Sequence, residues 1–130
     1  MVSKLYMNEI PIVMEENRTA GDADIVLIDD NKIFTRTLSD FFDNKWIKAH
    51  MYNSPDTFLK NLSLYSKSTK IVIDNELNSE ISGIELANLL RGRKYINLYL
   101  LSGRPFREGE APPYLTVIFK GSEDFTEKLL

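Results

Sequence analysis

The chain has 130 residues, 43% of them hydrophobic and 27% charged, with a net charge of −3 and no cysteine. That is the make-up of one globular domain large enough to bury a core. It excludes a disulfide frame, a thiolate metal site and a cysteine nucleophile, and the weak net field excludes general attraction to nucleic acid or anionic lipid.

Residues 1–24 carry five acids, Glu9, Glu15, Glu16, Asp22 and Asp24, against Lys4 and Arg18, so the rest of the chain balances at 14 against 14. The single apolar patch in this stretch, Ile10 to Met14, is broken by Pro11. It reads as an N-terminal extension or linker, or as an added strand, ahead of a domain over residues 25–130. There is no apolar segment of signal-peptide type. No apolar run approaches the roughly 20 residues that span a bilayer. A cytoplasmic protein with no membrane partner is the expectation.

"IVLI", 25–28, is a short continuous apolar run, the pattern of a strand buried on both faces. In "NKIFTRTLSDFFDNKW", Phe34, Leu38, Phe41 and Phe42 share one face at helical spacing, and Trp46 is expected in the core with them. "KAHMY", 48–52, reads as a strand, with His50, the one histidine, in it or on the surface. A helix follows with Ser54 as cap, Pro55 at its first position and Asp56 against the dipole, turning Phe58, Leu59, Leu62 and Tyr65 inward.

"KIVI", 70–73, is a second buried strand. Ser82 and Glu85 form a capping-box pattern for a helix running to about Lys94. "NLYLLS", 97–102, is another strand. "GRPFREGEAPP" has three prolines and two glycines in eleven residues, so the fourth helix of the alternation is shortened or absent. "YLTVIF", 114–119, is the last strand, and "SEDFTEKLL" a short helix with Ser122 as cap. Strands alternating with helices imply right-handed crossovers and a doubly wound parallel sheet, an α/β fold. Ligands of such sheets bind outside the carboxyl ends of the strands.

Asp29 and Asp30 follow the first strand, Asp74 the third, Ser102 the fourth and Lys120 the fifth. Taken singly, each has a plainer reading: helix caps, a solvated strand end, a turn hydroxyl, a surface lysine. Together they converge on one sheet edge. Three clustered carboxylates repel one another, and a hard divalent cation such as Mg²⁺ relieves that repulsion. Lys120 suits a phosphate or carboxylate, Ser102 can donate to a phosphoryl oxygen, and Asp74 can act as the nucleophile of an in-line phosphoryl transfer.

These residues resemble a two-component response-regulator receiver domain. The matching pieces are "IVLIDDN", "IVIDNEL", the glycine closing the following loop, "LLSG" and "VIFK", separated by 44 residues from Asp30 to Asp74, 28 to Ser102 and 18 to Lys120. The resemblance spans about residues 24–130. It implies a flavodoxin-like five-stranded parallel sheet of order 2-1-3-4-5. It further implies Asp74 as phosphoacceptor from a phosphohistidine, and a histidine kinase or phosphotransfer domain as partner. Mg²⁺ would be bound by Asp29, Asp30, Asp74 and the Glu76 backbone carbonyl, with Ser102 and Lys120 contacting the phosphoryl group. It allows weak dimerisation, and one setting it suggests is the C-terminal receiver of a hybrid sensor kinase.

The sequence departs from that pattern in places. Asn78 replaces a common proline, Gly83 falls one residue late, Gly121 replaces the proline after the lysine, and Val117 replaces a switch aromatic. Two rivals follow. One is a degenerate receiver that docks a partner without being phosphorylated. The other is a small phosphatase using Asp74, which lacks the second aspartate of haloacid-dehalogenase-like enzymes, since Glu76 stands there.

Overall fold

A computed structural model describes residues 23–130; the patch from Ile10 to Met14 and the rest of 1–22 lie outside the described residues. The elements alternate as expected: β1 (Ile25–Ile28), α1 (Lys32–Asn44), β2 (Ala49–Tyr52), α2 (Pro55–Lys60), β3 (Lys70–Asp74), α3 (Gly83–Gly92), β4 (Leu98–Ser102), β5 (Thr116–Phe119) and α4 (Phe125–Lys128). All five strands are parallel, in the order β2-β1-β3-β4-β5. The register sets Ile28 beside both Tyr52 and Ile73, and Asp74 beside Leu101, so the carboxyl ends of the strands share one edge.

The period-2 alternation of side chains splits the core in two. Val26, Ile28, Ile71, Ile73 and Leu100 face α2 and α3, where they meet Phe58, Leu86 and Leu90. Ile25, Leu27, Val72, Leu101 and Ile118 face α1 and α4, where they meet Leu38, Phe42 and Leu129.

Local sequence fixes the helix starts. Asn31 caps α1, its side chain accepting from the Phe34 N–H at 3.0 Å. Ser54 caps α2 ahead of Pro55. That helix is only six residues long and continues as a 3-10 turn over Leu62–Leu64, which still buries Leu62 and delivers Tyr65 to the core. The capping box of α3 forms in full, Ser82 accepting from the Glu85 N–H at 3.1 Å and Glu85 from the Ser82 N–H at 2.8 Å. The helix stops at Gly92, short of Lys94, which adopts a left-handed φ of 77°. His50 is buried on β2, its Nδ1 2.7 Å from the Tyr65 hydroxyl.

Two expectations fail. Trp46 is 94% exposed: α1 has ended, Trp46 takes a left-handed φ of 60° in the turn, and Ile47 packs inward instead. Ser122 does not cap the last helix. Its hydroxyl donates to the Phe119 carbonyl at 2.7 Å, closing the turn after β5, and Asp124 takes the cap position without a side-chain bond.

No helix forms between β4 and β5. Arg104 pairs with Glu110, Glu110 also accepts from the Arg107 N–H at 2.9 Å, and the Arg104 guanidinium lies 4.5 Å from the Phe106 ring centre. Phe106 and Tyr114 pack on the α3 side of the core, with Tyr114 donating to the Asn88 side chain. Among the described residues, no helix is long and apolar enough to cross a membrane.

Candidate functional site

β1 runs four apolar residues and delivers Asp29, fully buried, at its end; Asp30 follows, partly exposed. β3 ends on Asp74, which is 3% exposed. Asp29, Asp30 and Asp74 each offer an oxygen within 4.8 Å of the others. Lys120, one residue past β5, reaches across the edge, its Nζ 3.1 Å from Asp74 Oδ1 and 3.5 Å from Asp29 Oδ2. The Phe34 ring supports the ammonium from α1, 4.4 Å from its centre, a favourable cation–π arrangement.

One ammonium faces two buried carboxylates with a third beside them. Burial pushes the Asp29 carboxyl up to about 6, and the charge of Asp74 adds to this against the Asn31 N–H and Lys120. Burial likewise raises Asp74, partly offset by Lys120. Burial works against the Lys120 ammonium, but Asp29 and Asp74 overcome it and hold its pKa above the ordinary lysine value. Negative charge is therefore in excess at the edge. An oxygen-only donor set of three carboxylates fits a hard divalent cation such as Mg²⁺, which would relieve that excess.

The loop from Asp74 to α3 is bound to the site at three points. Asn78 donates its N–H to Asp30 Oδ2 at 2.9 Å, a bond that a proline at this position has no N–H to make. Glu76 accepts from the Gly103 N–H at 3.2 Å, tying the loop to the end of β4. Gly83 sits so close to β3 that a Cβ would lie 2.5 Å from the Asp74 carbonyl oxygen. The glycine that ends the loop is thus required by close approach.

Ser102 is fully buried at the end of β4, and its hydroxyl is already engaged: it donates to the Arg104 carbonyl at 2.7 Å and accepts from the Arg104 N–H at 3.1 Å. Lys120 is joined to the same residue through its backbone, Lys120 N–H to Ser102 carbonyl at 2.7 Å. The geometry thus brings Asp29, Asp30, Asp74 and Lys120 into contact and leaves the Ser102 hydroxyl facing its own turn. No peptide bond is cis among the described residues, the one between Lys120 and Gly121 included.

Three contributors escaped the sequence reading. Asn53 donates to the Asp29 carbonyl at 2.8 Å, and its place just after β2 was the available signal. The Asn31 N–H donates to Asp29 Oδ1 at 2.9 Å. The third is the Glu76 carboxylate, where only the backbone carbonyl was expected to act.

Among solved structures, the chain is similar to the receiver domain of Francisella response regulator 1452, with a TM-score of 0.65 and 18% identity, over 81% of this chain and 88% of that one. It is similar also to the signal receiver domain of an HD domain-containing protein from Pseudomonas fluorescens Pf-5, with a TM-score of 0.63 and 17% identity, over 82% and 89%. No protein-family model matches the sequence, and no curated protein matches it. The fold is that of response-regulator receiver domains.

Proposed function

We propose that this receiver-fold domain accepts a phosphoryl group on Asp74 from the phosphohistidine of a histidine kinase or phosphotransfer domain, and so serves two-component signalling in the cytoplasm. The observation that supports this best is the Asp74 carboxylate at the sheet edge, 3.1 Å from the Lys120 ammonium and clustered with Asp29 and Asp30. An Asp74 oxygen attacks phosphorus in line, a P–O bond forms, and the P–N bond breaks with its electron pair leaving on the imidazole nitrogen. Lys120 holds the reacting carboxylate and offsets charge on the transferred oxygens. Asp29, Asp30, Asp74 and the Glu76 carbonyl would hold Mg²⁺, which would supply the remaining charge neutralisation when bound. The Ser102 hydroxyl has one hydrogen, so it donates to the phosphoryl group only by giving up its bond to the Arg104 carbonyl, which couples the chemistry to the stretch that replaces a helix.

Incubation with Mg²⁺ and acetyl phosphate, read by intact mass, tests the proposal. A phosphoryl adduct that disappears in Asp74→Ala is the expected result. An unlabelled wild type, under conditions that label a control receiver, would overturn it. That outcome would favour a docking module without phosphorylation, the reading supported by Val117 in place of an aromatic and by the rebuilt stretch between β4 and β5.

A further inference from the structure

Glu76 does more at this edge than its place two residues after Asp74 requires. Its backbone N–H holds the Asp74 carboxylate, lowering a pKa that burial raises, while its own charge acts in the opposite sense. Its side chain reaches the end of β4, where Oε1 accepts from the Gly103 N–H at 3.2 Å, while Oε2 accepts from the side chain of the preceding Asn75 at 2.9 Å. Gly103 directly follows Ser102, and β4 pairs with β3 so that Asp74 lies beside Leu101. The Gly103 N–H is therefore a main-chain donor on the sheet edge that carries Asp74, one residue past Ser102, and the exposed Glu76 carboxylate accepts from it.

We propose that Glu76 is an internal latch: its carboxylate occupies the Gly103 amide in the resting state, and phosphorylation of Asp74 exchanges it for a phosphoryl oxygen. This rests on the reading of Asp74 as phosphoacceptor. The exchange has a physical drive. A phosphorylated side chain carries nearly two negative charges. The Glu76 carboxylate is repelled by them, while the freed N–H is a suitable donor to a phosphoryl oxygen. Release also detaches the Asp74 loop from the turn at Gly103 and Arg104, the turn that the Ser102 hydroxyl must leave to reach the same group. Two ties on one turn, Glu76 to Gly103 and Ser102 to Arg104, then break in one event. In the resting state Glu76 slows acceptance, because it repels an incoming phosphodonor and withholds a donor from the product.

The test combines labelling kinetics with the amide signal of Gly103, identified in glycine-labelled protein by its absence in Gly103→Ala. That substitution is tolerable, since the added Cβ would lie 3.4 Å from Glu76 Oε1. With acetyl phosphate and Mg²⁺, Glu76→Ala is expected to label roughly three- to tenfold faster than wild type. Glu76→Gln, which removes the charge but keeps an acceptor, should fall between them. In wild type, fluoroberyllate should move the Gly103 amide signal.

Labelling of Glu76→Ala but not of wild type, beside a labelled control, would overturn the parent reading for the native chain and the latch with it. Equal or slower labelling of Glu76→Ala, with wild type labelled, overturns the latch and leaves the phosphoacceptor reading standing. Faster labelling with an unmoved Gly103 signal also overturns it, reducing Glu76 to a charge effect. Failure of both wild type and Glu76→Ala to label beside a labelled control overturns the parent reading and the latch together.

Discussion

At the ends of β1, β3 and β5, two buried carboxylates, a third beside them and one ammonium lie within ion-pair and metal-binding reach. Between β4 and β5, residues 103–115 are anchored by Leu115 in the core and by the half-buried Phe106 and Tyr114, and their polar contacts are exposed, Arg104 with Glu110 and Phe106, and Tyr114 with Asn88 and Arg91. The first region buries charge, where a change of one group alters the balance of all. The second replaces a regular helix with surface pairs that are individually weak. The contrast separates two parts of one receiver fold: constraint is concentrated at the sheet edge that carries the carboxylates, and the stretch between β4 and β5 holds no regular helix.

Removing Lys120 should widen that contrast most. Lys120→Ala leaves Asp29 and Asp74 without their shared counter-charge and is expected to slow acetyl phosphate labelling on the order of 100-fold. Mass-resolved time courses check this, and an unchanged rate would remove Lys120 from the chemistry.

Next in size is a pH effect. Folding raises Asp29 from an ordinary 3.8 to about 6. Between those values the folded state binds more protons than the unfolded chain, so stability falls as pH rises. The penalty is absent below the lower value and complete above the higher one, roughly 3 kcal/mol in all. Denaturant unfolding without divalent cations should show this slope, Asp29→Asn should reduce it to what Asp74, also raised by burial, contributes, and added Mg²⁺ should flatten it.

Gly83→Ala comes third. The new Cβ would meet the Asp74 carbonyl oxygen at 2.5 Å, so the peptide after Asp74 must shift at a cost of about 2 kcal/mol. Unfolding and labelling should both suffer.

The smallest effect belongs to the other region. Phe106→Ala trims a partly buried ring and should cost about 1 kcal/mol, with the initial labelling rate unchanged. A labelling defect as large as that of Lys120→Ala would break the separation between the two regions.

What was legible in the sequence was local. The buried strands read as apolar runs, and the caps at Ser54 and Ser82 read from three- and four-residue patterns, because the bonds they form close within a single turn. Asp29, Asp74 and Lys120 were legible because a strand carries its last residue to a predictable edge. Long-range contacts were not. That Glu76 reaches Gly103 depends on β4 lying next to β3, and no spacing in the chain encodes it. Trp46 was misplaced because helical spacing was extended past the end of α1. Ser122 was misplaced because its hydroxyl had a nearer acceptor in Phe119.

Trp46 has a practical consequence. It is the only tryptophan, and it stands in water in the folded state. Its emission should sit near that of free indole both before and after unfolding. Tryptophan fluorescence is then a blind probe of this domain's denaturation, and stability has to be followed by tyrosine signal or circular dichroism. The same indole is a clean optical sensor on a silent background: a blue shift on mixing with another protein would come from contact at the far end of α1.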